Sequence, residues 1–84
     1  MKAKQVEEMI GAGLADARVQ VESGDDSHFE ALVIATEFES LGKIQRHQLV
    51  YGTLGNLVGQ EIHALSIRAY SPEEWAALQA AQNG

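Results

Sequence analysis

Residues 63–75 read His63-Ala64-Leu65-Ser66-Ile67-Arg68-Ala69-Tyr70-Ser71-Pro72-Glu73-Glu74-Trp75, a strand followed at once by a helix start. Leu65 and Ile67 alternate with Ser66 and Arg68, the period-two pattern of a strand with one buried face. Ser71 is a helix-capping residue type, Pro72 suits the first helical position, and Glu74 stands three residues beyond the cap, where its carboxylate can reach back. The helix started there carries Trp75 and Leu78 and is expected to dissolve into Gln82-Asn83-Gly84.

Upstream, beginning at Lys43, the residues His47, Val50, Tyr51, Leu54, Leu57 and Val58 fall at helical offsets, so a core helix is expected across them. Gly52, Gly55 and Gly59 lie inside or at the end of that span. A glycine inside a helix costs up to about 1 kcal/mol relative to alanine, and close packing against a sheet is the expected compensation. Ala17, Val19 and Val21 alternate with Arg18, Gln20 and Glu22 as a half-buried strand, which the polar cluster Ser23-Gly24-Asp25-Asp26-Ser27 breaks. The run from His28 to Thr36 alternates and then turns continuously apolar, as a central strand does, and the two strands are expected to form an antiparallel hairpin. Val6, Met9, Ile10 and Leu14 recur at helical spacing at the start of the chain, with Gly11 and Gly13 marking where that helix stops. The predicted architecture is an α+β sandwich of order αββαβα. Its three-stranded sheet is mixed, because the crossover through the second helix allows the third strand to run parallel to a neighbour.

The chain has 84 residues and a formal net charge of −6 from twelve acidic and six basic residues; 45% of it is hydrophobic and none of it is cysteine. A chain this short buries only about 60–65% of its unfolded surface, enough for one core. A single domain over residues 1–84 is therefore expected, with its core at about residues 5–79 and a short C-terminal tail. The lack of cysteine excludes a disulfide framework, a thiolate zinc finger, a catalytic thiol and any iron–sulfur cluster held by this chain's thiolates alone. Met1-Lys2-Ala3-Lys4-Gln5 leads into neither an apolar signal core nor an Arg-rich transit segment, and no run reaches the roughly 18 apolar residues of a membrane span. A cytoplasmic protein without membrane contact is expected. The acidic balance also argues against a protein that coats duplex nucleic acid.

Histidine is the scarcest reactive side chain, present at His28, His47 and His63. His47 lies on the apolar stripe of the second helix and reads as a core or hydrogen-bonding residue. His28 opens the second strand and His63 the third; their spacing matches neither HxxxH nor HExxH, so spacing leaves each open between an edge residue and a ligand. Glu22, Asp25 and Asp26 lack the alternating ligands and closing Glu of a calcium loop and read as a solvated turn. Ser27-His28 is not set in a GxSxG elbow, and capping accounts for Glu73 and Glu74. Gly52-Thr53-Leu54-Gly55 matches the GxxG with which KH domains clamp a nucleic-acid backbone, but it falls within a helical stripe, and its nearest cations are Lys43, Arg46 and Arg68. No nucleophile–base pair and no cofactor fingerprint can be named, so no enzymatic activity is expected.

Ser27-His28-Phe29, Phe38 followed eight residues later by Arg46-His47, Val50-Tyr51, His63-Ala64-Leu65-Ser66-Ile67 and Tyr70-Ser71-Pro72-Glu73-Glu74-Trp75 together resemble the BolA family, over roughly Val6 to Leu78. Val50-Tyr51-Gly52-Thr53-Leu54 with Ile62-His63-Ala64 looks closest to the IbaG-like (YrbA) branch of that family. The resemblance implies an αββαβα fold similar to a class II KH domain, the same order that periodicity gives. It also implies an accessory protein of iron–sulfur and iron homeostasis that forms a heterodimer with a monothiol glutaredoxin. In such pairs a 2Fe-2S cluster is bridged: the glutaredoxin and a glutathione supply thiolates, and the BolA-like partner supplies the histidine that matches His63. A second ligand comes from the loop between the first two strands, where His28 is the candidate.

Cluster binding of that kind needs no cysteine from this chain, and histidine ligation raises the potential, as in Rieske centres. The isolated chain is not expected to hold a cluster tightly. Arg46 matches the family's Arg-His pair and is expected to be exposed and partner-facing, with Lys43 and Arg68 as further cations of that surface. Ser40 stands where relatives usually have glycine, and Gln48 where many have a third basic residue, which weakens any surface for anions on the second helix. Some relatives are described as transcription regulators. The second expectation is accordingly weak DNA or RNA binding, in the service of stress or morphology genes, through a KH-like face at Lys43, Arg46 and Arg68.

Overall fold

The structure is a computed structural model that describes residues 1–83, with Asn83 described by its backbone alone. Helix α1 spans Ala3–Gly13, β1 Arg18–Glu22, β2 His28–Ile34, α2 Lys43–Leu54, β3 Ala64–Tyr70 and α3 Pro72–Asn83, with one 3-10 turn at Thr36–Phe38. The order is the predicted αββαβα. In the sheet the strands lie in the order β1-β2-β3, so β2 is central, antiparallel to β1 and parallel to β3.

Alternation decides the faces. Phe29, Ala31 and Val33 of β2 and Val21 of β1 are buried on one side, against Val6 and Ile10 from α1, Leu14 just past its end, and Val50 and Leu54 from α2. Phe38 and Ile62, both fully buried, close that core from the two loops flanking α2. The opposite parity of β2 carries His28, Glu30, Leu32 and Ile34. Ile34 is buried there, in reach of Trp75 from α3, which lines a crevice with Leu32 and Ile34 and stacks on Tyr70 at 5.7 Å between ring centres. The predicted capping box at α3 is present: the Glu74 N–H donates to Ser71 Oγ at 3.2 Å, and the Ser71 N–H donates to Glu74 Oε1 at 2.8 Å. Among the described residues no helix is long and apolar enough to cross a membrane.

Four local expectations are corrected. Helix α2 stops at Leu54 rather than running to Val58, because Gly55 (φ 58°) and Gly59 (φ 91°) adopt left-handed conformations that end it and turn the chain; Leu57 and Val58 reach the core from that loop. Strand β2 ends at Ile34, two residues before Thr36, where the backbone enters the 3-10 turn. Helix α3 continues through Gln82 to Asn83, since the run Ala76-Ala77-Leu78-Gln79-Ala80-Ala81-Gln82 consists of strong helix formers; the expectation for Gly84 lies outside the described residues.

The fourth concerns glycine packing. A Cβ on Gly52 would meet nothing within 4 Å, so no close approach to the sheet explains that residue. The tight contact lies instead where α1 meets α2, because a Cβ on Gly13 would run into the side chain of Thr53, whose Oγ1 is already engaged with the Val50 carbonyl at 2.6 Å. Two substitutions should therefore shift stability in opposite directions. Gly52→Ala is expected to stabilise by about 0.5–1 kcal/mol through helix propensity, and Gly13→Ala to destabilise by about 1–3 kcal/mol through overpacking. Urea unfolding of the two variants checks both signs.

Candidate functional site

The parallel pairing of β2 and β3 sets His28 opposite Ala64, so both strands begin at the same edge of the sheet and His63 lies immediately beside His28. The carbonyl of Ser27 joins the two strand starts, accepting the N–H of His63 at 2.9 Å and of Ala64 at 3.2 Å. The two imidazoles meet edge to face, 5.1 Å between ring centres and 72° between planes, and both residues are exposed. The two histidines singled out from the sequence are thus brought together.

Two imidazoles bound to one metal at about 2 Å and near-tetrahedral angles have ring centres roughly 5 Å apart, so the observed separation fits a pair of nitrogen donors to one ion. No group of three or more His, Cys, Asp or Glu that could hold a metal occurs among the described residues. Together His28 and His63 offer two nitrogen donors on an open surface, half of what a tetrahedral shell requires.

The turn beside this pair is ordered by Asp25. Its Oδ1 accepts the backbone N–H of Ser27 at 3.0 Å and of His28 at 2.8 Å, and its Oδ2 lies 2.7 Å from His28 Nδ1. These contacts, the His28 N–H foremost, hold the Asp25 carboxyl well below the usual carboxylate range. Ser23 Oγ accepts the Asp26 N–H at 3.0 Å and donates to the His28 carbonyl at 2.7 Å. Asp26 has φ 59°, and its carboxylate accepts from Lys2 Nζ at 2.6 Å, which ties the start of α1 to the loop and raises the Lys2 pKa. The acidic run is a turn, as its spacing indicates, but Asp25 is also the partner of a candidate ligand. The signal in the sequence was an Asp two and three residues before Ser27 and His28, the spacing of an Asx turn.

Arg46 is not the exposed side chain expected. Its side chain is only 12% exposed. Nε donates to the Leu41 carbonyl at 2.8 Å, Nη1 to the Ala69 carbonyl at 3.2 Å and to Glu74 Oε1 at 2.6 Å, and Nη2 to Glu74 Oε2 at 3.3 Å. The guanidinium also lies 5.7 Å from the centre of the Phe38 ring. The planar fork suits carbonyls and a carboxylate at once, which draws Arg46 inward as a brace between α2, β3 and α3. Glu74 accordingly does more than cap α3. Lys43 and Arg68 are exposed and, with the half-buried His47, line a groove of about 500 Å³ at the other end of β3, beside Ile67 and Ala69.

An αββαβα domain with a three-stranded mixed sheet has the architecture of the BolA-like class. The chain belongs to the BolA family: residues 11–74 match the family model described as BolA-like protein. It is 35% identical over 77 residues to the acid stress protein IbaG of Escherichia coli strain K12, covering 90% of each chain. It is 39% identical over 54 residues to the DNA-binding transcriptional regulator BolA of Haemophilus influenzae, covering 64% of this chain and spanning only 52% of that protein. A BolA protein homologue from Coxiella burnetii superposes with a TM-score of 0.81 at 39% identity, over 90% of this chain and 97% of the other. The family read from the motifs is the family found.

The Arg46–Glu74 pair has a measurable pH signature. The Arg46 guanidinium, then the Ser71 N–H, lower the Glu74 carboxyl from 4.5 to about 2. A depressed acid contributes stability that is fully present above its unfolded value of 4.5 and is lost as pH falls through about 2. The stability gap between wild type and Glu74→Gln should therefore be largest at neutral pH and shrink across that window, as read by urea unfolding. A gap independent of pH would contradict the pairing. Arg46→Ala should cost roughly 2–3 kcal/mol, since the Leu41 and Ala69 carbonyls lose a charged donor.

Proposed function

We propose that this protein is a non-enzymatic accessory protein of iron–sulfur and iron homeostasis, acting in the cytoplasm in partnership with a monothiol glutaredoxin. Its contribution is His63 and His28, as nitrogen ligands to a 2Fe-2S cluster held jointly with the glutaredoxin and a glutathione. The observation that carries this reading is the pair of exposed imidazoles 5.1 Å apart on a chain without cysteine. Such a surface suits a group whose thiolates come from elsewhere and which the isolated chain does not retain. Bound there, the cluster would supply redox-active iron, at a potential raised by nitrogen ligation. The chain's own part is to present two nitrogens from the rigid starts of two hydrogen-bonded strands. The name of the IbaG relative, an acid stress protein, supports a stress-related setting.

Titration into a cluster-loaded, glutathione-ligated glutaredoxin homodimer, followed by visible circular dichroism, tests the partnership. The wild-type chain should produce a new spectrum that saturates at equimolar protein, and His63→Ala should alter that spectrum while leaving the far-ultraviolet spectrum of the free domain unchanged. A wild type that leaves the cluster spectrum untouched would sink the reading.

A second reading, a KH-like nucleic-acid-binding regulator, is favoured by the groove that Lys43 and Arg68 line and by the DNA-binding name of the Haemophilus relative. Arg46 and Glu74 line the same groove and neutralise each other, so among the described residues of that groove Lys43 and Arg68 remain to meet an anionic ligand, and binding to DNA or RNA should be weak and only mildly salt-dependent. A slope of about −2 in log affinity against log salt is expected, reduced by Lys43→Glu. A slope near zero excludes phosphate contacts by this face.

A further inference from the structure

Resting on the reading of His28 as a ligand, we propose that Asp25 is the positioning residue of the site: it fixes the tautomer of His28 so that Nε2 is the free donor nitrogen. A carboxylate only accepts, so the 2.7 Å contact between Asp25 Oδ2 and His28 Nδ1 requires the proton on Nδ1 and leaves the Nε2 lone pair available. The ring cannot easily drift from this arrangement, because the other oxygen of the same carboxylate holds the backbone of His28 and Ser27 through N–H donors at 2.8 and 3.0 Å. One side chain thus sets both the main chain and the ring of the candidate ligand.

The influence of Asp25 extends to the second histidine. Ser27, whose N–H Asp25 holds, accepts the N–H of His63 with its carbonyl at 2.9 Å. Among the described residues the ring of His63 makes no hydrogen bond, so the two histidines are unequal: His28 is held by a carboxylate, and His63 is held by its backbone alone. The turn is itself anchored away from Asp25, by Ser23 on the His28 carbonyl and by Lys2 on Asp26, so it does not depend wholly on the residue to be tested.

Asp25→Asn separates positioning from folding. The two backbone N–H donors need an oxygen opposite them, so the amide must place its oxygen there and turn its NH2 towards His28 Nδ1. Nδ1 then becomes the acceptor, and the proton moves to Nε2, the nitrogen a metal would need. Asparagine also keeps the Asx turn, so the fold is preserved.

The test is long-range proton–nitrogen NMR of the histidine rings in the cluster-free chain at about pH 8, above the ordinary imidazole range. Wild type should show His28 as the Nδ1–H tautomer, and Asp25→Asn should show it as Nε2–H, with His63 unchanged. A wild-type His28 protonated on Nε2, or an Asp25→Asn variant that keeps the wild-type tautomer, overturns the proposal. Asp25→Ala serves as a control: a His28 tautomer as strongly biased to Nδ1–H as in wild type would equally overturn it. For the cluster-loaded glutaredoxin pair, Asp25→Asn should raise the concentration of chain needed to saturate the visible spectrum roughly 10- to 100-fold. If the wild type gives no spectral change, cluster sharing falls, while the tautomer result still decides the role of Asp25.

Discussion

β2 and β3 pair in parallel from His28 opposite Ala64 to Ile34 opposite Tyr70, and because parallel strands begin at the same edge, the residues that open them become neighbours. Such pairing needs a crossover, and α2 supplies it by burying Val50 and Leu54 on the sheet while Phe38 and Ile62 seal its two ends. Had β3 paired antiparallel to β2, its first residue would lie beside the far end of β2, and the two imidazoles would sit at opposite edges. The candidate site is therefore a product of topology first and of side-chain chemistry second. The Ser27 carbonyl, bonded to the N–H groups of His63 and Ala64, is the hinge point between the two.

The two ends of β3 do different work. At its start the sheet presents two exposed nitrogen donors and a carboxylate that orders one of them. At its end the Ala69 carbonyl is taken by Arg46, which also holds Glu74, so that α2, β3 and α3 are locked together. The cation most suggestive of an anionic partner is thereby spent on the fold. On an acidic chain, a groove whose arginine is paired with Glu74 and whose other cations are Lys43 and Arg68 presents little positive charge to a polyanion.

The order of elements was legible because it is encoded locally: alternation in β1, β2 and β3, helical offsets in α1 and α2, and the capping box at Ser71 and Glu74. Where two local signals compete, the stronger periodicity is not the one that decides the boundary. Apolar offsets carried α2 to Val58, but the left-handed Gly55 and Gly59 ended it. The family motifs named His63 and His28, yet their adjacency is a fact of register that spacing does not contain. The burial of Arg46 is hidden from the sequence for the same reason, since the acceptors that draw it inward stand 5, 23 and 28 residues away. Asp25 was within reach of the sequence as an Asx-turn residue; its second contact, to a ring nitrogen, needed the turn's geometry.

The most direct measurement of cluster ligation is pulsed electron paramagnetic resonance on the reduced mixed complex, with isotope-labelled histidine in this chain only and unlabelled glutaredoxin. Nitrogen ligation by this chain requires strong hyperfine coupling from its labelled imidazoles, with one set lost in His63→Ala. A cluster bound in the complex without any coupling to the labelled histidines would contradict it, and would assign all of the ligands to the partner and glutathione.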